Sequence, residues 1–119
     1  MKSDKKLTTV TGGGCFVEVI VVGHISVTDI GLFSSVLWEH FDTHGHPKAI
    51  ILDLSRAEGI DSTGIATMIN LHKKIAPLFI YGLSEYIATM FDRVGLGKVF
   101  HIRKTRAEIL SDEDWPCKE

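Results

Sequence analysis

The run Ala49-Ile50-Ile51-Leu52-Asp53-Leu54 restricts this chain more than any other segment. A strand with one solvated face alternates apolar and polar residues. This run is apolar at nearly every position and therefore calls for cover on both faces, the mark of a central strand in a sheet with helices packed against it. Strand-like and helix-like segments alternate around it. Phe16–Val22 is rich in β-branched residues and reads as a strand, interrupted only by Glu18. Leu7–Val10 precedes it across the turn Thr11-Gly12-Gly13-Gly14, which predicts an N-terminal hairpin. Gly23-His24-Ile25-Ser26 is expected to leave the strand.

Helical periodicity fills the intervals. Ile30, Phe33, Leu37 and Phe41 share one helical face, capped by Ser26 or Thr28 and stopped by His44-Gly45-His46-Pro47, which predicts a helix to about Thr43. After Leu54, Ser55–Ile60 reads as a loop. Asp61-Ser62-Thr63-Gly64 then opens a helix whose Ile65, Met68, Ile69 and His72 stand at i, i+3, i+4 and i+7, with Pro77 ending it. Leu78–Tyr81 is a short strand. Ser84 caps a third helix carrying Ile87, Met90, Phe91 and Val94 on one face, with Gly95 just past its end. Val99–Ile102 is a last strand, and Thr105-x-x-Glu108 has the form of a capping box for a final helix to about Ser111.

The order β-β-α-β-α-β-α-β-α predicts a single α/β domain. Its sheet has four to five mostly parallel strands, with an N-terminal hairpin and about four helices. The 119 residues leave room for one core, placed at 7–111, between a disordered 1–6 and a flexible acidic tail at 112–119. With 45% hydrophobic and 24% charged residues the composition is that of an ordinary globular domain rather than a disordered chain. No apolar stretch approaches the ~20 residues a membrane-spanning helix needs, and Met1-Lys2-Ser3-Asp4-Lys5-Lys6 has no apolar region behind it. A net charge of −2 gives no electrostatic case for nucleic acid or an anionic membrane surface. Cys15 and Cys117 sit near opposite ends. A disulfide between them is possible but nothing in the sequence supports it, and the composition reads as cytoplasmic.

Chemistry-bearing constellations are few. Gly12-Gly13-Gly14 precedes a strand rather than a helix, so it makes no phosphate cradle, and Gly95-Leu96-Gly97-Lys98 lacks the rest of a phosphate-binding loop. His40, His44 and His46 cluster near a Gly-Pro turn. A polar loop accounts for them, and a metal site would need partners that spacing does not supply. His72, on an apolar helical face, reads as a core histidine bonded to backbone, or a half-buried one, rather than a catalytic base. Neither a cofactor nor a metal is expected. The most distinctive segment is Asp61-Ser62-Thr63-Gly64. Ser, Thr and Asp are favoured helix caps, which is reason enough for their presence. The same geometry turns a hydroxyl toward solvent at the end of a helix that favours anions, so a phosphate there is tolerated.

In that order, these segments resemble the STAS family and, within it, the bacterial anti-sigma factor antagonists. Phe16–Val22 followed by Gly23-His24-Ile25, the strand Ala49–Leu54, the signature-like Asp61-Ser62-Thr63-Gly64-Ile65, and Leu78–Ser84 carry the resemblance, with Val94-Gly95-Leu96 to Phe100 and Thr105–Leu110 adding to it. The resemblance implies a binding module in transcription control and not an enzyme. Ser62 would be its phosphoacceptor, and Ser26, Glu58, Gly59, Ile60, Asp61, Ser62, Thr63 and Gly64 its partner-facing residues. Ser26 stands where many antagonists carry an acid. The implied partners are an anti-sigma factor that is also a serine kinase, with a histidine-kinase-like ATPase domain, and a serine phosphatase. A monomer or weak dimer is expected. A ligand-sensing module, or an accessory subunit of a signalling or lipid-transport complex, is the alternative.

Overall fold

In the computed structural model the described residues are 7–12, 15–25, 45 and 47–117, with backbone alone for 7–12, 24 and 25. The helix expected before Thr43, the three clustered histidines and the N-terminal 1–6 lie outside them. Five strands form one sheet in the order β1-β2-β3-β4-β5, with β1 Leu7–Gly12, β2 Phe16–Ile25, β3 Ala49–Ile60, β4 Leu78–Tyr81 and β5 His101–Arg103. β1 pairs antiparallel with β2, and every later pairing is parallel. The helices among the described residues are α1 Ser62–Lys74, α2 Glu85–Arg93 and α3 Arg106–Leu110, with a 3-10 turn at Leu96–Lys98.

Neighbouring strand residues serve opposite faces because the side-chain period is two. On one face Val17, Val19 and Val21, Ile50, Leu52 and Leu54, and Leu78 and Ile80 meet Met68 and Leu71 of α1 and Ile87 and Phe91 of α2. On the other, Ala49, Ile51 and Phe79 meet Ile109 of α3 and Trp115. The doubly buried β3 is thus explained: Ile50 and Ile51 both have no exposed surface, one in each core.

Two polar-looking stretches fold differently from the expectation. Ser55–Ile60 is not a loop but the continuation of β3, and Gly23-His24-Ile25 does not leave β2 but pairs with it, Gly23 opposite Ala57 and Ile25 opposite Ile60. The register shifts twice, between Ile20 and Val22 and between Gly23 and His24, and Gly23 takes a left-handed φ of 81° there. A bulge lets two strands stay paired while they twist, and nothing apolar in the sequence marks it. Two boundaries also move. The last strand begins at His101 because Leu96–Lys98 winds into the 3-10 turn, and Val94, expected on the buried face of α2, is 59% exposed as that helix's C-cap.

The segment after α3 departs most from expectation. Rather than hanging loose, 112–117 packs over the sheet. Trp115 is 3% exposed and meets Phe16 and Phe79 edge-on, each at 5.0 Å between ring centroids. Cys117 is joined to Cys15 by a disulfide, with the two Cα atoms 5.9 Å apart across 102 positions of sequence. One interior aromatic outweighs the acidic residues around it, because fully burying an aromatic side chain is worth ~1.5–3 kcal/mol.

Candidate functional site

α1 opens at the far end of the extended β2–β3 pair. β4 accompanies β3 only from Ile50 to Asp53, so Leu54–Ile60 runs on with β2 alone. Along that stretch Ala57, Gly59 and Ile60 are buried, whereas Ser55, Arg56 and Glu58 are exposed. Ala57 and Ile60 join the core that holds Met68 of α1, which fixes the helix start against the strand end. The turn itself is made by Asp61. Its backbone is extended, at φ −86° and ψ 178°, and its Oδ1 accepts the Gly64 N–H at 3.0 Å, while its carbonyl accepts the Ile65 N–H at 3.1 Å. This is an N-cap, and it satisfies donors the first turn would otherwise leave bare.

With Asp61 committed to the cap, Ser62 and Thr63 are exposed on the first turn and Gly64 is buried. No described residue hydrogen-bonds the Ser62 hydroxyl. Thr63 offers its carbonyl to Thr67 Oγ1 at 3.1 Å. Past the N-cap Asp61, whose carboxylate complements the N-terminal end of the dipole, α1 carries no acidic side chain in its first turn, and His72, Lys73 and Lys74 complement its last turn. Of the sequence-derived candidates, the structure brings Glu58 through Gly64 into one strand-to-helix corner. Ser26 lies outside the described residues.

A model of the STAS domain matches residues 7–109, most of the chain. The chain belongs to the STAS domain family. Solved structures agree on the fold of this STAS domain. An anti-sigma factor antagonist from Mycobacterium paratuberculosis is 18% identical, with a TM-score of 0.74 over 86% of this chain and 87% of that one. A putative anti-sigma factor antagonist from Thermotoga maritima is also 18% identical, with a TM-score of 0.74 over 86% and 89%. The Bacillus cell fate determinant SpoIIAA in its phosphorylated form is 15% identical, with a TM-score of 0.63 over 86% and 94%. A comparison with curated protein sequences finds no match.

Two groups that sequence reading did not assign shape the rest of this STAS domain. Glu18, the break in an apolar strand, is 7% exposed and fully engaged: Arg106 Nε donates to its Oε1 at 2.9 Å and the Tyr81 hydroxyl to its Oε2 at 3.3 Å. It thereby ties α3 to β2 and β4. Burial pushes the Tyr81 phenol above its usual range, and the carboxylates of Asp53 and Glu18 beside it push the same way, so it stays a neutral donor. The second group is Gly82. Its φ is +80°, and an added Cβ would stand 2.8 Å from Ser55 Cβ, so the turn from β4 into α2 can pass β3 only without a side chain. An open cleft of about 620 Å³ lies at this end of the sheet, its lining including Gly82, Leu83, Arg103 and Glu108. Two of its charged side chains are engaged, Arg103 Nε donating to Asp112 at 2.6 Å and Glu108 accepting the Lys104 backbone N–H at 3.0 Å.

His72 fulfils the sequence expectation. Its Nδ1 accepts the Leu78 N–H at 3.0 Å, tying the end of α1 to the start of β4. Burial lowers its pKa, with His101 and Lys73 adding to the effect.

Proposed function

We propose that this STAS domain is an anti-sigma factor antagonist: a cytoplasmic bacterial binding module, not an enzyme, switched by phosphorylation of Ser62. It would bind an anti-sigma factor that is also a serine kinase, so freeing a sigma factor, and a serine phosphatase would reset it. The observation that carries this reading is the Ser62 hydroxyl. It is exposed on the first helical turn, directly after an aspartate whose own oxygen is committed to the cap. One of the similar structures is described as an anti-sigma factor antagonist and another as a putative one, and the Bacillus protein has a phosphorylated form. The helix N-terminus tolerates a phosphate locally. Its charge of about −1.5 to −2, added beside Asp61 and on the same corner as Glu58, makes the surface repel an acidic partner face.

The experiment is incubation with ATP and the histidine-kinase-like serine kinases of the source organism, followed by mass spectrometry. Phosphate on Ser62, absent from Ser62→Ala, is expected. If every such kinase leaves Ser62 unmodified while binding or ignoring the protein, the switch is wrong. Ser62→Asp should fold normally and bind the kinase more weakly than Ser62→Ala; equal affinities would remove the electrostatic mechanism. Phosphate on Thr63 alone would move the acceptor by one residue.

A further inference from the structure

We propose that the C-terminal strap Asp112–Cys117 is a redox latch, closed by the Cys15–Cys117 disulfide and released when a dithiol reductant opens it. The latch lies away from Ser62: Cys15 precedes the first residue of β2, whereas α1 begins where the other ends of β2 and β3 meet.

The strap is held in a way that suits release. Its backbone bonds are local, Asp112 N–H to the Ile109 carbonyl at 3.1 Å and Trp115 N–H to the Asp112 carbonyl at 3.2 Å. It contributes no strand to the sheet. Its attachments include the Arg103–Asp112 ion pair, the approach of His101 Nδ1 to Asp114 Oδ2 at 4.0 Å, the Trp115 ring against Phe16 and Phe79, and the bridge itself. Both cysteines are half-buried rather than sealed, so an attacking thiolate has access. The Cα separation of 5.9 Å lies within the ordinary range for disulfides, so closing the bridge asks for no backbone movement. The larger core, on the opposite face, contains no strap residue. With the bridge open, α3 still anchors the strap through buried Ile109, so the two thiols stay near each other and reclosure is intramolecular.

The exchange balances with a dithiol as co-reactant. One thiolate of the dithiol attacks a sulfur of the bridge and expels the other cysteine as a thiolate, which takes up a proton. The second thiol of the dithiol then displaces the remaining cysteine from the mixed disulfide. The bridge gains two electrons and two protons, and the dithiol loses them and closes its own disulfide. In a reducing compartment a bridge of this kind cycles rather than persists. Opening it frees Trp115 to leave the apolar surface formed by Phe16, Phe79 and Ile51.

The test uses the full chain with Trp38→Phe, so that Trp115 is the one indole, and the unaltered chain beside it. After treatment with excess reduced dithiothreitol, thiol labelling should rise from none to two per chain, and Trp115 emission should shift to the red. Protease cleavage should become detectable within 111–117, and in unlabelled, uncleaved protein freed of dithiothreitol, oxidised glutathione should restore the unreactive cysteines, the emission and the protease resistance. Far-UV circular dichroism should not move. The unaltered chain, read by labelling and mapped cleavage, carries the test if Trp38→Phe fails to fold. Two free thiols with unchanged emission and no new cleavage would overturn the latch. So would loss of secondary structure on reduction, which would make the bridge a staple of the whole fold, and so would two labelled thiols in the air-oxidised protein.

Discussion

The two faces of the sheet are built by different means. The face under α1 and α2 holds one continuous cluster, from Val17 and Val19 through Leu52 and Ile80 to Phe91 and Phe100, made almost wholly of aliphatic and aromatic contacts between long elements. Among the described residues, the opposite face has three buried apolar strand residues, Ala49, Ile51 and Phe79, covered by Ile109 of a short helix and Trp115 of a strap. Specific pairs hold it together: Glu18 with Arg106 and Tyr81, Arg103 with Asp112, and Cys15 with Cys117. A large apolar cluster tolerates the loss of any one partner gradually. A closure made from a few long-range pairs is released as a unit, and the second face is where this domain can change state without unfolding.

The sharpest way to break that comparison uses two adjacent residues. Ile50→Ala and Ile51→Ala each empty a fully buried site, one in each core, and each should cost about 2–5 kcal/mol in the oxidised protein. Combined with Cys15→Ser/Cys117→Ser, the Ile50 cost should add independently, because no strap residue belongs to its cluster, whereas the Ile51 cost should shrink as its cover is already loosened. Chemical denaturation of the parent and the five variants, the two Ile variants, the cysteine pair alone and the two combinations, measures both couplings. Equal couplings would mean that the faces are not separate units.

The cysteine pair alone gives the next effect. Cross-linking across 102 positions restricts the unfolded chain strongly. Removing the bridge should cost roughly 2–4 kcal/mol, read calorimetrically as a fall in Tm of about 4–8 °C for each kcal/mol. Total stability for such a domain is about 5–15 kcal/mol, so the variant should remain folded at 25 °C.

The difference between the faces also explains what the sequence disclosed. Helical spacing of Met68 in α1 and of Ile87 and Phe91 in α2, and the unbroken apolar run of β3, are local patterns, so the first core and the corner at Asp61 were readable. The second face depends on partners far apart in sequence. Glu18 reads as a flaw in a strand until Arg106 and Tyr81 are brought to it, and Cys15 and Cys117 read as unrelated thiols. Trp115 lies among acidic residues whose composition outvotes a single ring. The paired arm Ser55–Ile60 was hidden for a related reason. Its apolar positions are spaced by a bulge and not by strict alternation.

A smaller effect tests the link between the two edges of the first core. His72 Nδ1 can accept the Leu78 N–H only when the ring is neutral at that nitrogen. Its folded pKa is lowered from 6.5, so the unfolded state binds more protons as pH falls through that value, and stability should drop below about pH 6.5. Above it the contribution is fully present. His72→Asn keeps an acceptor without the titration and should remove this acid-sensitive step from the pH–stability profile. His72→Leu leaves a peptide N–H unpaired and should cost about 1–3 kcal/mol above about pH 6.5, a cost that shrinks in acid as the parent loses the same acceptor. An unchanged profile in the Asn variant would assign the acid sensitivity to another group. Asp112, whose pKa is lowered by the Asp114 N–H and the Arg103 guanidinium, acts at lower pH, where its contribution is lost as the carboxylate takes up its proton.

The smallest effect concerns Asp61, where structure and proposed switching share one side chain. Asp61→Ala removes the acceptor of the Gly64 N–H and should cost about 0.5–2 kcal/mol, whereas Asp61→Asn, which retains a side-chain oxygen, should cost only a fraction of that. Phosphorylation of Ser62 would separate two contributions that stability alone confounds. If the cap presents Ser62 by holding the first turn, Asp61→Asn should be modified at nearly the parent rate and Asp61→Ala more slowly. If the Asp61 charge itself is read by the kinase, both variants should slow together. The Ala and Asn variants therefore distinguish a positioning role from a recognition role at one residue, with thermal unfolding reporting the first and phosphorylation rate the second.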